Sequence, residues 1–184
     1  VHLETPIGPD YPLEKLRREF DAVYIAIGAH IDKPLDIPGE DAKGVVSAVS
    51  ILRRIGDDDY PDLKGRDVVV IGGANIDIGG WPEHVLVARD SNPGTVTTSP
   101  GGAGRNIAHN LSLLGVDVRL ITAFGTDEYA GVLRAACRGA RIDISHSLTV
   151  PNFATSTYLY VTDETGSMTQ AISDMKIFER LTPT

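Results

Sequence analysis

Residues 68–82 read VVVIGGANIDIGGWP, a run of β-formers that breaks into a glycine pair. Such a run is a buried strand leading into a tight turn, and the segment after the turn decides the fold. In a dinucleotide-binding unit the turn carries G-x-G-x-x-G and opens a helix, so that backbone N–H groups reach a pyrophosphate with no side chain in the way. Counting from Gly72, the second glycine position here holds Ala74 and the third holds Asp77, whose carboxylate would repel a diphosphate. The Asn75-x-Asp77 pair, read as the C-terminal end of the strand, suits hydroxyl groups better.

The remaining constraints are broad. With 184 residues and 42% hydrophobic content, the chain can bury a core of one domain or slightly more. A net charge of −8 without a lysine- and arginine-rich stripe argues against nucleic acid as a partner. No apolar run is long enough for a membrane span, and no charged leader precedes an apolar stretch, so a reducing cytoplasm is expected. Cys137 has no second cysteine to pair with, which suits a buried, inert thiol. His2, His30, His84, His109 and His146 lack metal-ligand spacing, and the acidic run Asp57 to Asp59 reads as a solvated loop, so no metal site is expected.

Periodicity divides the chain. Leu13, Leu16 and Phe20 predict a helix over 12–20, AVYIAIG a short strand over 22–28, and Val45, Val49, Leu52 and Ile55 a helix within 44–55. The loop GDDDYPDLKG then marks a boundary, placing one segment at 1–66 and another at 67–184. From Asp67 the pattern is strand, long irregular loop, helix, strand, helix. Ile107, Leu111 and Leu114 share a helical face stopped by Gly115, VDVRLITAFG follows as a strand, and a helix spans 128–138. STYLYVT and SMTQAI, joined by DETG, form a hairpin.

The strongest chemical feature is SPGGAGRNIAHNLSLLG, residues 99–115. Gly101 and Gly102 let the backbone approach a ligand, and the amide of Asn106 can donate to and accept from a sugar hydroxyl. A glycine-rich loop that merely caps a helix has the same composition. Together with Asn75 and Asp77, however, these residues make a polyol grip. Trp81 either shields a substrate or covers the core.

From Val68 onward the chain resembles the N-terminal half of a PfkB-family, ribokinase-like carbohydrate kinase, with Gly101, Gly102, Gly104, Asn106, Ala108, Gly115 and Gly125 in register with its first signature. Within that family the pseudouridine kinases are most similar, because GGANID, DSNPG, SPGGAGRNIAHNLSLLG, TSTYLYVTDETG and AISDM occur in order. The resemblance implies that Asp77 binds ribose hydroxyls with Asn75, the Gly101 and Gly102 backbone and Asn106. It also implies a lid containing the hairpin around Thr157 and the segment near Asp174, a base contact from Asn92, and a homodimer through the hairpin. Asn92 and Asp174 are equally at home as turn or cap residues. The family uses ATP and Mg and keeps its catalytic base in a later G-A-G-D motif. This chain has only GAGR, with Arg105 at the base position, and ends at FERLTPT; no catalytic residue is assigned and turnover is not expected.

The segment FDAVYIAIGAHIDKPLDIPGEDAKGVVSAVSILRRI through LKGRDVVVIGG resembles a different family, the flavin- and pyridine-nucleotide-dependent oxidoreductases of the glutamate-synthase small-subunit type. Neither FAD nor NAD(P) has a complete motif, and no cofactor-binding residue is assigned. The switch between the two resemblances falls within 67–74. A natural fusion, a truncated product and a recombined sequence all remain open. The fold class expected is α/β: an incomplete ribokinase-like βαβ sheet with a β-hairpin lid, preceded by a small α/β segment of a nucleotide-binding oxidoreductase fold.

Overall fold

A computed structural model of the chain describes residues 38–59, 61–63 and 65–182, together with Lys15 and Arg18. It divides into two compact units, Val1–Pro61 and Asp62–Thr184. Of the expected helix over 12–20 only Lys15 and Arg18 are described, both helical, and the expected strand over 22–28 lies outside the described residues.

In the first unit, helix α1 (Ala48–Gly56) begins where the Ser47 hydroxyl accepts from the Ser50 N–H at 3.0 Å, a side-chain cap for an otherwise unsatisfied donor. Past its end, the carboxylate of Asp59 receives Arg54 Nε at 2.7 Å and Nη2 at 3.2 Å. The acidic run therefore contributes a forked ion pair to the helix terminus.

The second unit opens with β1 (Asp67–Ile71), which pairs in parallel with β4 (Asp117–Ile121), Asp67 opposite Asp117 through Ile71 opposite Ile121. Between them runs helix α2 (Ala103–Leu113), packed on both strands. This is the expected βαβ unit. Gly104, Ala108 and Ser112 form its buried stripe, four residues apart, so that the helix backbone comes close to the sheet. Gly115, at φ +80°, ends the helix: its N–H reaches the Ser112 carbonyl at 3.0 Å and the Val116 N–H reaches Leu111 at 3.1 Å, the paired bonds of a Schellman stop. Leu114, expected on the apolar face, lies beyond the last helical residue and is 79% exposed.

The expected long irregular loop between β1 and α2 is instead two strands, β2 (Asn75–Pro82) and β3 (Gly94–Gly101), paired antiparallel. Four glycines and two prolines disguise them, yet Ile76 and Ile78 alternate as a strand does and Thr95–Thr98 is an unbroken β-branched run. A second correction concerns VDVRLITAFG, which is two strands. β4 stops at Ile121 and β5 (Ala123–Phe124) pairs with β6 (Leu148–Thr149), because the Thr122 carbonyl turns to the Leu148 N–H at 2.8 Å.

Helix α3 (Glu128–Gly139) contributes buried Ala130, Leu133 and Cys137 to the core, beside Leu120 and Phe124. Its cap, Asp127, accepts from the Ala130 N–H at 3.0 Å and from the Thr155 N–H and hydroxyl at 2.7 and 2.6 Å. Partial burial pushes the Asp127 pKa up, but the bonds from Thr155 and Ala130 outweigh it and hold the carboxyl below its usual value. Burial raises the pKa of the Cys137 thiol. The hairpin follows as β7 (Thr157–Thr162) and β8 (Met168–Asp174), with a bulge between Val161 and Thr162. It does not project alone: β7 pairs in parallel with β2, giving a four-stranded sheet in the order β3-β2-β7-β8. A 3₁₀ turn (Lys176–Arg180) closes the described chain, with Ile177 buried.

Candidate functional site

The site grows from the turn between β1 and β2. Ile71 hands over through Gly72, Gly73 and Ala74 to a strand, not a helix, so the turn does not itself open the helix that a dinucleotide-binding unit needs after its glycines. Asn75 and Asp77 consequently lie at the N-terminal start of β2, not at the C-terminal end of the preceding strand as the sequence suggested. The segment is anchored from below: the Ser156 hydroxyl donates to the Ala74 carbonyl at 2.7 Å, and the Ile76 N–H donates to the Ser156 carbonyl at 3.0 Å.

The N-terminus of α2 closes against the same turn. The Arg105 N–H donates to the Gly73 carbonyl at 3.1 Å, and a Cβ on Gly104 would lie 2.6 Å from the Gly72 carbonyl carbon. Gly102 takes φ +96°, and a Cβ there would meet Gly73 O at 2.5 Å and Asn75 Oδ1 at 2.9 Å. On Gly101 a Cβ would collide with the Asp77 carboxylate. These glycines are thus required by close approach, and what approaches Gly101 is the carboxylate itself.

Donor and acceptor roles are set by these contacts. Asn75 Nδ2 donates to Asp77 Oδ1 at 2.6 Å, so the buried Asn75 amide orients the carboxylate. Arg105 Nη1 donates to Asn106 Oδ1 at 3.1 Å and to the Pro100 carbonyl at 3.4 Å. A guanidinium only donates, so Asn106 keeps its Nδ2 to offer to a ligand. The result is an acceptor, Asp77, against Gly101 and a donor, Asn106, in the helical turn that follows Gly102, and acceptor and donor are the two roles that hydroxyl groups require.

Of the residues singled out from sequence, Asn75, Asp77, Gly101 and Gly102 come together, and Asn106 follows in the first turn of α2 with its N–H on the Gly102 carbonyl at 2.9 Å. Thr157 and Asp174 do not: they pair with each other and with Ile76, one residue out of step with Asp77, and alternation turns them to the opposite face of the sheet. Asn92 lies beyond the far end of the β2–β3 hairpin, with its amide occupied. Its Oδ1 accepts from the Val87 N–H at 2.8 Å, and its Nδ2 donates to Val87 O at 3.0 Å and Asp90 O at 3.1 Å. It borders a hollow of about 280 Å³ with Trp81, Leu86, Val96 and Val161, away from the carboxylate. Sequence reasoning missed Arg105 as an orienting group and Tyr158, which stands opposite Asp77. The alternation of the TYLYVT run was the available signal for Tyr158. Among the described residues no cluster of three or more His, Cys, Asp or Glu could hold a metal ion, and no helix is long and apolar enough to cross a membrane.

Residues 66–183 match the model of the pfkB family carbohydrate kinases, and the chain belongs to that family. It is similar to the pseudouridine kinase of Escherichia coli, with 44% identity over 121 residues that cover 65% of this chain and 39% of the relative. The chain therefore spans about two-fifths of that relative's length. Among solved structures, a carbohydrate kinase from Agrobacterium tumefaciens is 33% identical with a TM-score of 0.55, covering 60% of this chain and 36% of the other. The other segment is similar to oxidoreductases: the small chain of NADPH glutamate synthase from Bacillus subtilis is 38% identical over 80 residues, covering 39% of this chain and 16% of the relative. The α/β fold with partial ribokinase-like sheets and the double resemblance are as the sequence led one to expect.

Proposed function

We propose that residues 67–184 are the substrate-binding half of a nucleoside kinase of the pseudouridine type, inactive in phosphoryl transfer as this chain. The observation that carries this reading is the Asp77 carboxylate, oriented by Asn75 and seated over Gly101, with Asn106 in the helical turn that follows the glycine pair. In this reading Asp77 takes ribose hydroxyls, and Asn75, Gly101, Gly102 and Asn106 complete the grip. The relative's substrate and the in-order motifs support a nucleoside. ATP and Mg are implied by the family, and FAD or NAD(P) by the relatives of the first segment. The strand that succeeds the Gly72–Gly73 turn speaks against a dinucleotide there.

Inactivity is a consequence of the chemistry present. Transfer needs a proton acceptor for the attacking hydroxyl and an anion hole for the moving phosphoryl group. The GAGR glycines are spent on contact with the β1–β2 turn, and Arg105 cannot accept a proton. The far face of β1, with Val69 49% and Ile71 60% exposed, is where the remaining length of the relatives would pack. A second copy is the candidate cover for exposed Val96, Leu159 and Ile172, on the face of the hairpin sheet opposite Asp77. Residues 1–66 are read as a passenger in nucleoside recognition.

The test is to incubate the chain with pseudouridine and Mg-ATP and to follow the nucleoside by mass spectrometry. No phosphorylated product above a no-protein control is expected. Turnover that Asp77→Ala abolishes would overturn the inactivity.

A further inference from the structure

We propose that Tyr158, backed by Tyr160 and Trp81, is the platform on which a neutral planar heterocycle attached to the bound sugar rests, so that this face selects nucleosides over simple sugars. The proposal rests on the reading of Asp77 as the sugar-binding carboxylate.

The sheet register sets the geometry. Asp77 pairs with Tyr158, and Gly79 with Tyr160, across the parallel β2–β7 ladder. Directly paired residues share a face, and residues two apart on a strand return to it, so Asp77, Trp81, Tyr158 and Tyr160 all stand on one side of the sheet. Gly79 confirms the side: a Cβ on it would run into the rings of Trp81 and Tyr160. The rings occupy the space that a side chain at 79 would need.

The three rings are braced against one another. Trp81 meets Tyr160 edge to face, with centroids 5.6 Å apart and planes at 83°, and Tyr158 lies 6.0 Å from Tyr160 at 36°. The Tyr158 hydroxyl donates to Met168 Sδ at 3.4 Å, which steadies the outer edge of the ring. All three residues are half-buried, and none belongs to the hydrophobic core cluster or packs against it. Outside the core, each ring keeps part of its surface open while its neighbours hold it in place.

Position and charge then select the occupant. Neighbouring strands are about 4.8 Å apart, so the backbone of Tyr158 is one strand spacing from that of Asp77. A ribose carries its base on the carbon next to the 2′-hydroxyl carbon, so a base on a sugar held by Asp77 falls within reach of the Tyr158 ring. The residues paired around the platform are Ser99 and Ser173 in the Asp77 row and Thr97 and Ala171 in the Gly79 row, all uncharged. Among these paired residues an anionic substituent finds no cation. A neutral base finds a stacking surface bordered by hydroxyls that suit its carbonyl and N–H edge.

The experiment compares pseudouridine and ribose binding by calorimetry on the full chain, its Tyr158→Ala, Tyr158→Phe and Tyr158→Leu variants, and Asp77→Ala. Loss of one base–aromatic contact corresponds to about 10- to 100-fold in affinity. Tyr158→Ala is expected to weaken pseudouridine by that factor and to leave ribose within about two-fold, with Tyr158→Phe close to wild type. Tyr158→Leu, which keeps an apolar side chain on the strand, should lose the same preference and serves if the alanine variant does not fold. Equal affinity of the wild-type chain for the two ligands, or equal losses for both in the variants, overturns the platform alone. Failure of the wild-type chain to bind either ligand, or binding indifferent to Asp77→Ala, overturns the reading beneath it.

Discussion

Asp77→Ala should lower pseudouridine affinity by at least about 100-fold while leaving the fold intact. A hydrogen bond to a charged group contributes about 1.5–3 kcal/mol, and a carboxylate gripping neighbouring hydroxyls makes two of them. The fold survives because Asp77 is half-buried and outside the core cluster, and the loss of its bond to the buried Asn75 amide costs about 1–3 kcal/mol. Asp77→Asn should be little better than alanine. The buried Asn75 amide that now donates to Oδ1 would then face either an NH₂ group or a single oxygen no longer free for ligand. Calorimetric titration with circular dichroism as the folding control measures both effects. Affinity within about three-fold of wild type in a folded Asp77→Ala variant would remove the carboxylate from the site.

Gly102→Ala should cost the second unit about 3 kcal/mol. Two terms add. Gly102 has φ +96° and ψ 130°, a region nearly reserved for glycine, where another residue is strained by about 1–3 kcal/mol. The new methyl would also lie 2.5 Å from Gly73 O and 2.7 Å from Ala74 Cα, backbone atoms tied into the turn, and such overpacking costs about 1–3 kcal/mol. Gly115 provides an internal comparison. It too has positive φ, +80°, but an added Cβ meets nothing within 4 Å, so Gly115→Ala should cost only about 1 kcal/mol. Urea unfolding of the two variants, followed by circular dichroism, should separate them clearly. Equal midpoints would mean that the close approach of the glycine loop to the turn is not the constraint described.

The reach of each interaction decided whether it was legible in the sequence. The helices were legible because their signals are local: the stop at Gly115 and the periodic apolar residues act within a turn or two. The grouping of Asn75 and Asp77 with the glycine pair was legible too, since they sit at both ends of a glycine-rich hairpin whose strands bring them together. That hairpin was itself read as a loop. Gly79, Gly80, Pro82, Gly94, Pro100 and Gly101 carry loop composition, and only the pairing partners explain them: the aromatic rings over Gly79 and the carboxylate over Gly101. Pairing also decided which residues of the β7–β8 hairpin share a face with Asp77. Thr157 and Tyr158 are neighbours in the chain, yet the register with β2 sends them to opposite faces, and no local pattern states that register. The break of VDVRLITAFG at Thr122 has the same origin, a change of strand partner from β1 to β6.

The most direct test of the nucleoside site is a titration of the isotopically labelled full chain with pseudouridine, followed through its backbone amide and Asn side-chain resonances. Saturable shifts are predicted at Asp77, Gly101, Gly102 and at the Nδ2 protons of Asn106, with residues 38–59 unmoved. Saturable shifts confined to the first unit or to the hollow beside Asn92, with Asp77 and the glycine pair silent, would contradict it.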